Sequence, residues 1–255
     1  NLALLTPTLA SLGWTNDHTR WADEARAAAA ADPGADAGEL IAGRLARVSR
    51  GFSLVFTGGD ALLAASGTGR TGLDEAPATG DFVLVRDDPV DGPVLHAIAE
   101  RTTALRRRAS GRQPGPQVLA ANVDAVFVMH GLDREVNLRR LERQLVVAWD
   151  SGAEPIVVLT KADAADEADA AAAEVTAATG TEAIAISVVS GHNLDRLLAR
   201  VAERRSIAML GLSGIGKSTL VNQLSHGQVQ RTGEVRAGDR KGRHTTVTRD
   251  LIPLP

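Results

Sequence analysis

Short apolar runs punctuated by turn residues fill the chain between about residue 39 and residue 100, at 41–48, 52–56, 61–65, 82–85 and 94–99. Runs of this length rich in Val, Leu, Ile and Phe read as strands, and the glycines and Pro89, Gly92 and Pro93 between them read as turns. Five short strands in so little chain predict a small antiparallel β-barrel, satisfied by an OB-fold or an SH3-like barrel. The pattern then changes. Compact apolar runs at 124–129, 156–160, 183–187 and 206–210 alternate with helical periodicity at 138–151, 164–179 and 194–204, the signature of βαβ units and a parallel sheet. Ahead of the barrel, 22–36 is alanine-rich and broken by Asp32-Pro33-Gly34, which predicts a short helix in a leader segment outside the core. The stretch 110–116, Ser-Gly-Arg-Gln-Pro-Gly-Pro, divides the two patterns. The expected organisation is a partly helical leader at 1–38, a barrel at 39–110, a linker at 111–121 and an α/β domain at 122–255.

Composition narrows the class. With 255 residues, 44% hydrophobic and 23% charged, the chain has the makeup of a folded globular protein. It contains no cysteine, which excludes disulfides and thiolate metal sites within it and leaves a cytoplasmic address as the expectation. No apolar run reaches the roughly 20 residues that span a bilayer, so no membrane association is expected. The formal net charge is -3, yet residues 40–113 carry ten basic and eight acidic groups, with Arg106, Arg107, Arg108 and Arg112 clustered. Such a cluster suits phosphate contact and equally a solvated face. Aromatic residues make up 3% with no tyrosine, so base stacking is at most a minor device, and Phe52 and Phe56 are expected in the core.

The chemistry concentrates in the α/β half. Gly211-Leu212-Ser213-Gly214-Ile215-Gly216-Lys217-Ser218 satisfies G-x-x-x-x-G-K-[ST], with a strand at 207–210 before it and a helix opening at Thr219 after it. That context separates it from a chance glycine-rich turn. Its backbone amides can wrap a phosphate, Lys217 can reach the outer oxygens as a point charge, and the Ser218 hydroxyl suits a magnesium shell. Thr160-Lys161-Ala162-Asp163 closes the strand 156–160 in the form of a guanine-reading motif. A carboxylate there accepts from both the ring N–H and the amino group of guanine, a pair adenine does not present, while Lys161 lays its stem along the base. The alternative is that Asp163 caps the helix after it. Ser187-Val188-Val189-Ser190 ends the next strand and offers a backbone amide to the base. Gly242-Arg243-His244-Thr245-Thr246 lies where a switch loop would hang, with Thr245 or Thr246 as a further magnesium ligand and His244 as candidate to orient the attacking water. His18, His96, His130, His192 and His226 show no metal-ligand spacing and read as structural.

The base-reading motif precedes the phosphate loop, which reverses the order of ordinary small GTPases. With the barrel in front, the text Gln117-Val118-Leu119-Ala120-Ala121-Asn122-Val123-Asp124, the loop Gly211 to Thr219 and Gly242-Arg243-His244-Thr245-Thr246, the chain from about Gly38 onward resembles the ribosome small-subunit-dependent GTPase A family. The resemblance implies an OB-fold that contacts ribosomal RNA and a circularly permuted α/β P-loop GTPase domain. It also implies GTP and GDP with Mg2+ as ligands and a role in late maturation of the small (30S) ribosomal subunit, which stimulates turnover. A monomer is expected. The family further has an Asp-x-Pro-Gly motif shortly after the position of Asp250 and a C-terminal zinc module of cysteines and a histidine, so Zn2+ is expected only there.

Because the chain starts at Asn1 and stops at Leu254-Pro255, we read it as a trimmed member that binds GTP and hydrolyses it slowly. Two other classes fit some of the residues: an ATP-dependent P-loop enzyme, with Asp163 only a helix cap, and an RNA-binding protein with a non-hydrolysing nucleotide site.

Overall fold

Short apolar strands joined by turns close the first half into a barrel. The structure, a computed structural model, describes residues 7–31, 38–66, 73, 75–88, 92–108, 116–204, 206–225 and 249–254. They fall into two compact units, one drawn from Asn1–Ala104, Arg108–Asn122 and Thr246–Pro253, the other from Leu105–Arg107, Val123–Thr245 and Leu254–Pro255. In the first, β1 (Leu40–Val48), β2 (Phe52–Phe56), β3 (Ala61–Ala65), β4 (Phe82–Asp88) and β5 (Gly92–Ile98) form a closed barrel in the order β1-β2-β3-β5-β4. The β1–β4 register runs from Leu40 opposite Arg86 to Arg44 opposite Phe82, and β3 meets β5 in parallel. This strand order is that of an OB-fold, which decides between the two barrels the sequence allows. Leu45, Val55, Ala64, Val83, Val85 and Leu95 fill the interior. Each large side chain among them contributes about 1.5–3 kcal/mol by leaving water.

The leader is not peripheral. Helix α1 (Asn16–Ala31) starts six residues before the expected helix, with the Thr15 amide donating to His18 Nδ1 at 3.0 Å. Its Ala22 packs on Leu40 and Leu84, with Trp14 and Trp21 alongside, and the Trp14 ring meets Phe82 edge-on at 5.7 Å. Leu84 therefore has no exposed surface although its neighbours Val83 and Val85 point into the barrel. The unbroken apolar run of β4 follows from burial on both faces.

Charge is buried here as well. Arg44, 2% exposed, donates to the carbonyls of Gly80 (3.1 Å), Leu12 (2.6 Å) and Asn122 (2.6 Å) and lies 4.7 Å from the centre of the Phe82 ring. Arg101 grips the fully buried Asp81 through Nε at 2.7 Å and Nη2 at 2.8 Å. Burial holds such charges only when each is paired or fully hydrogen-bonded. Two expectations fail for these residues. Phe52 is 56% exposed: it shares the outer pleat with Leu54 and Phe56, and only those two are covered there, in a cluster with Leu9, Leu12 and Leu251, so Phe56 is buried as expected. The stretch read as a linker contains β7 (Pro116–Ala121), paired with β6 (Ala104–Arg108) in a two-stranded ribbon. Its proline opens the strand, where no ladder donor is needed. Near the end of the chain, Asp250 bridges to Arg47, and the Leu251 amide donates to the Ala46 carbonyl at 2.7 Å.

The second unit is a parallel α/β layer. Strands β8 (Ala125–Gly131), β9 (Glu154–Thr160), β10 (Ala183–Ala185) and β11 (Ile207–Leu210) lie in the order β10-β9-β8-β11, all parallel. Between them run α2 (Leu138–Trp149), α3 (Ala168–Thr179) and α4 (Leu194–Ala202), and α5 (Lys217–Leu224) follows β11. Phe127, Met129, Ile156, Val158, Ile184, Ile186, Leu197 and Leu220 form its core. The Asn137 side chain caps α2 by accepting from the Arg140 amide at 2.9 Å. Helix α3 begins at Ala168, later than the periodicity predicts, because Ala162–Ala164 are drawn into a 3-10 turn. Parallel alignment brings the carboxyl ends of β8, β9, β10 and β11 to one edge, where α/β sheets hold their ligands.

Candidate nucleotide-binding site

At that edge the phosphate loop joins β11 to α5. Gly216 takes φ +97 as it enters α5, a left-handed geometry that suits glycine and points the first helical amides toward the loop. Gly211 allows the loop to settle onto β8: a Cβ there would lie 2.7 Å from the Met129 carbonyl oxygen and 2.1 Å from Ile215 Cδ1. Ile215 is buried under the loop, whereas Leu212, Ser213 and Gly214 face outward. Lys217 Nζ donates to the carbonyls of Gly211 (2.9 Å) and Leu212 (2.6 Å). Its burial pushes the ammonium below the ordinary lysine range. Ser218 stands half-buried in the first turn of α5. Ser213, Gly214 and Thr219 complete the loop and helix start, so all nine residues expected from Gly211 to Thr219 share one strand–loop–helix unit.

The guanine-reading candidate meets this loop from two strands away. The buried Thr160, last residue of β9, donates through Oγ1 to the Ile215 carbonyl at 2.6 Å and lies 3.2 Å from the His130 carbonyl of β8. One hydroxyl thus ties β9 across the tip of β8 to the phosphate loop. Lys161 follows in the left-handed region, φ 61 and ψ 41, which for a residue with a side chain costs on the order of 1–3 kcal/mol and marks a position held by its surroundings. The Ala162 amide donates to the Ile186 carbonyl at 3.0 Å, locking the turn against the strand end beyond β10. Asp163, exposed, accepts through Oδ1 from the fully buried Ser187 hydroxyl at 2.5 Å.

Ser187 Oγ in turn accepts from the amides of Val189 (3.2 Å) and Ser190 (3.1 Å), so the 187–190 loop is folded around the same group. Val188 packs against the core and Val189 is 86% exposed. Asp163 does not cap α3. The residue preceding that helix is Glu167, with no side-chain cap, and no second donor reaches Asp163 among the described residues.

Two residues beside the site carried no signal in periodicity or motif. Asp133, just past β8, accepts from Lys161 Nζ at 2.8 Å. The Lys161 ammonium, with Arg134 next to it, holds the Asp133 carboxyl below the usual carboxylate range. His130 pairs with Gln144 of α2 at 2.8 Å, and burial lowers its pKa. Their place at the carboxyl edge of the sheet is the clue that would have drawn attention to both. The expected switch residues His244, Thr245 and Thr246 lie outside the described residues, as does His226.

No group of three or more His, Cys, Asp or Glu able to hold a metal occurs among the described residues. None of their helices is long and apolar enough to cross a membrane.

Fold and site define a phosphate-loop domain in which the strand that ends at Thr160, the guanine-reading candidate, comes before the loop in sequence, preceded by an OB-type barrel. The family model described as RsgA GTPase matches residues 98–255. The chain belongs to the RsgA GTPase family. It is 40% identical over 229 residues to the small ribosomal subunit biogenesis GTPase RsgA of Syntrophotalea carbinolica, covering 85% of this chain and 63% of that protein. It is 45% identical over 189 residues to the protein of the same description from Opitutus terrae, covering 70% of this chain and 52% of the relative. The chain therefore spans little more than half to three-fifths of the length of these relatives. Among solved structures, YjeQ from Thermotoga maritima aligns with a TM-score of 0.53 at 22% identity, covering 72% of this chain and 64% of that one. YloQ, described as a circularly permuted GTPase, aligns with 0.52 at 21% identity, covering 74% and 65%.

Proposed function

We propose that this chain carries the guanine-nucleotide site and the RNA-contacting barrel of a GTPase that acts in late maturation of the small ribosomal subunit. The carrying observation is the Thr160–Ile215 hydrogen bond, which joins the base-reading strand to the phosphate loop in one site. In this reading Gly211, Leu212, Ser213, Gly214, Ile215, Gly216 and Thr219 offer backbone amides to the phosphates. Lys217 leaves its two loop carbonyls for the outer phosphate oxygens, an exchange favoured because its ammonium is partly desolvated. Asp163, oriented by Ser187, accepts from the guanine ring N–H and amino group, and Lys161 covers the base with its stem. Thr160 and Ala162 fix the turn, and Val188 contributes backbone.

Magnesium fits the donor set. Ser218 is a neutral oxygen ligand in the first helical turn beside Lys217, the type of group hard cations take alongside phosphate oxygens, with Thr245 or Thr246 as the partner. When bound, Mg2+ neutralises charge on the transferring phosphoryl group. His244 orients a water whose oxygen attacks the γ-phosphorus as the bond to the β–γ bridging oxygen breaks, giving GDP and inorganic phosphate. The chain has no cysteine, so no thiolate zinc site is assigned to it. The barrel at 39–110 and the arginines at 106–108 supply the contact to ribosomal RNA, and the protein acts as a cytoplasmic monomer.

Competition of GTP, GDP, ATP and ADP against a fluorescent guanine nucleotide tests the site. Guanine nucleotides should displace it at least a hundredfold better than adenine nucleotides, roughly the discrimination expected of a paired carboxylate contact. Equal displacement would favour an ATP-dependent enzyme. Turnover of GTP with and without 30S subunits then separates an enzyme from a non-hydrolysing RNA-binding protein.

A further inference from the structure

Asp133 sits at the carboxyl edge of the sheet, in the stretch between β8 and α2, and none of the chemistry above uses it. Its Oδ2 lies 2.8 Å from Lys161 Nζ, with side chains 30% and 35% exposed, so the pair is neither fully solvated nor sealed. The surrounding backbone is built for that contact. At Gly131 a Cβ would stand 2.6 Å from Asp133 Oδ1 and 3.7 Å from Lys161 Cδ, so a side chain there would push the carboxylate away. One residue on, the Leu132 amide donates to the Thr160 carbonyl at 2.8 Å, tying this stretch to the strand end that carries Lys161. The Lys161 ammonium at that distance holds the Asp133 carboxyl below its ordinary range.

Lys161 is also where the chain turns. Its left-handed backbone carries β9 into the 3-10 turn that holds Asp163. The other three residues of this turn are each anchored on a different side: Thr160 on Ile215, Ala162 on Ile186 and Asp163 on Ser187. Lys161 has a long, rotamer-rich stem, and the contact that fixes its end is the one to Asp133. We propose that Asp133 is a positioning residue for base selection: by holding Lys161 it pins the left-handed turn that presents Asp163, before a nucleotide arrives. This rests on the reading of Asp163 as the guanine-selecting carboxylate.

A double-mutant cycle on the whole chain tests it, with N-methylanthraniloyl-labelled GDP and ADP as probes and thermal melting to confirm that each variant folds. Asp133→Ala should weaken GDP binding by about three- to tenfold, the range of a partly exposed ion pair with a positioning role, and leave ADP binding nearly unchanged. The GDP-over-ADP preference therefore falls, which a general loss of stability would not cause. In a Lys161→Met background, where the stem remains and the ammonium is gone, Asp133→Ala should add less than about twofold. Should Asp133→Ala melt below the assay temperature, Asp133→Asn, of the same shape, takes its place in the cycle with the same expected sign.

An equal loss in both backgrounds, or an equal fall for GDP and ADP, or an unchanged GDP affinity, overturns the proposal. Asp163→Asn is measured beside the cycle. If it shifts base preference while the cycle is additive, only the role of Asp133 is wrong. If the parent protein shows no preference for GDP, the reading of Asp163 fails and the proposal falls with it.

Discussion

The Ser187 hydroxyl donates to the Asp163 carboxylate at 2.5 Å, joining residues 24 positions apart. Ser187 is fully buried and Asp163 is exposed, so a fixed donor in the interior aims a carboxylate at the surface. The same hydroxyl accepts from the Val189 and Ser190 amides, which fixes its rotamer. Charge-assisted hydrogen bonds to a group of set orientation are the ones that give geometric selectivity.

Asp163→Asn should lower GTP affinity by on the order of a hundredfold or more, since each charge-assisted bond removed is worth about 1.5–3 kcal/mol, and should shift preference toward xanthine nucleotides. Ser187→Ala removes only the aim, at about 1 kcal/mol, and should reduce GTP affinity roughly fivefold without changing which base is preferred. Competition binding with GTP and XTP reads both effects; an Asp163→Asn protein that binds GTP like its parent contradicts the assignment.

Thr160→Val keeps the shape of the side chain and deletes its donor. The Ile215 carbonyl under the phosphate loop then loses a 2.6 Å partner. An unsatisfied buried acceptor costs about 1–3 kcal/mol, so the variant should melt earlier and bind both GDP and ADP more weakly through the loop, with the larger loss for GDP because the turn that presents Asp163 loses an anchor as well. Calorimetry and competition binding on one preparation check it, and intact affinity would show that the loop holds its shape unaided.

Lys217→Ala should weaken triphosphate binding and abolish turnover while the circular dichroism spectrum stays native, since among the described residues the ammonium bonds its own loop alone. The pH profile carries a sign. Burial lowers the Lys217 pKa, and phosphate oxygens favour the protonated form. Affinity for GDP should therefore be level below that lowered pKa and fall as pH rises through it, because binding must then take up a proton. Titration by isothermal calorimetry in buffers of different ionisation enthalpy measures the proton; a profile that rises with pH would be the wrong sign.

Arg44→Met should destabilise the barrel by about 1–3 kcal/mol or more, the cost of leaving buried acceptors without their donor. The carbonyls of Leu12 and Asn122 lose the Arg44 donor, that of Gly80 keeps only its bond from Asn122 Nδ2, and the Phe82 face loses its cation. Urea unfolding monitored by tryptophan fluorescence reports this directly, since Trp14 packs against Phe82. A midpoint within error of the parent's would mean that methionine packing compensates fully.

Replacing Arg106, Arg107 and Arg108 by alanine should weaken 30S binding and flatten its salt dependence by roughly 0.7–0.9 log units for each phosphate no longer neutralised, with GTP affinity unchanged. Arg106 and Arg107 are exposed on β6, as pairing with RNA phosphates requires. A salt slope equal to the parent's returns them to the role of a solvated face.

What the sequence determined by itself was local. Short apolar runs bounded by turn residues set the five barrel strands, strand–helix alternation set the parallel layer, and the fixed spacing of Gly211, Gly216, Lys217 and Ser218 set the phosphate loop, because each depends on residues close together in the chain. The order of motifs along the chain also sufficed to find the family. Tertiary structure alone decided the rest: that α1 covers Leu84, that Phe52 is exposed while Phe56 is buried, that β6 and β7 pair across a stretch rich in Pro and Gly, and that Thr160, Asp163 and Lys161 find Ile215, Ser187 and Asp133. Those pairings in the nucleotide site join residues 24 to 55 positions apart, and which side chains meet there depends on the strand order β10-β9-β8-β11 and its register. Hydrophobic periodicity tells which face of an element is buried and is silent on which neighbour buries it, so the partners of a polar side chain at a strand end emerge only when the sheet is assembled.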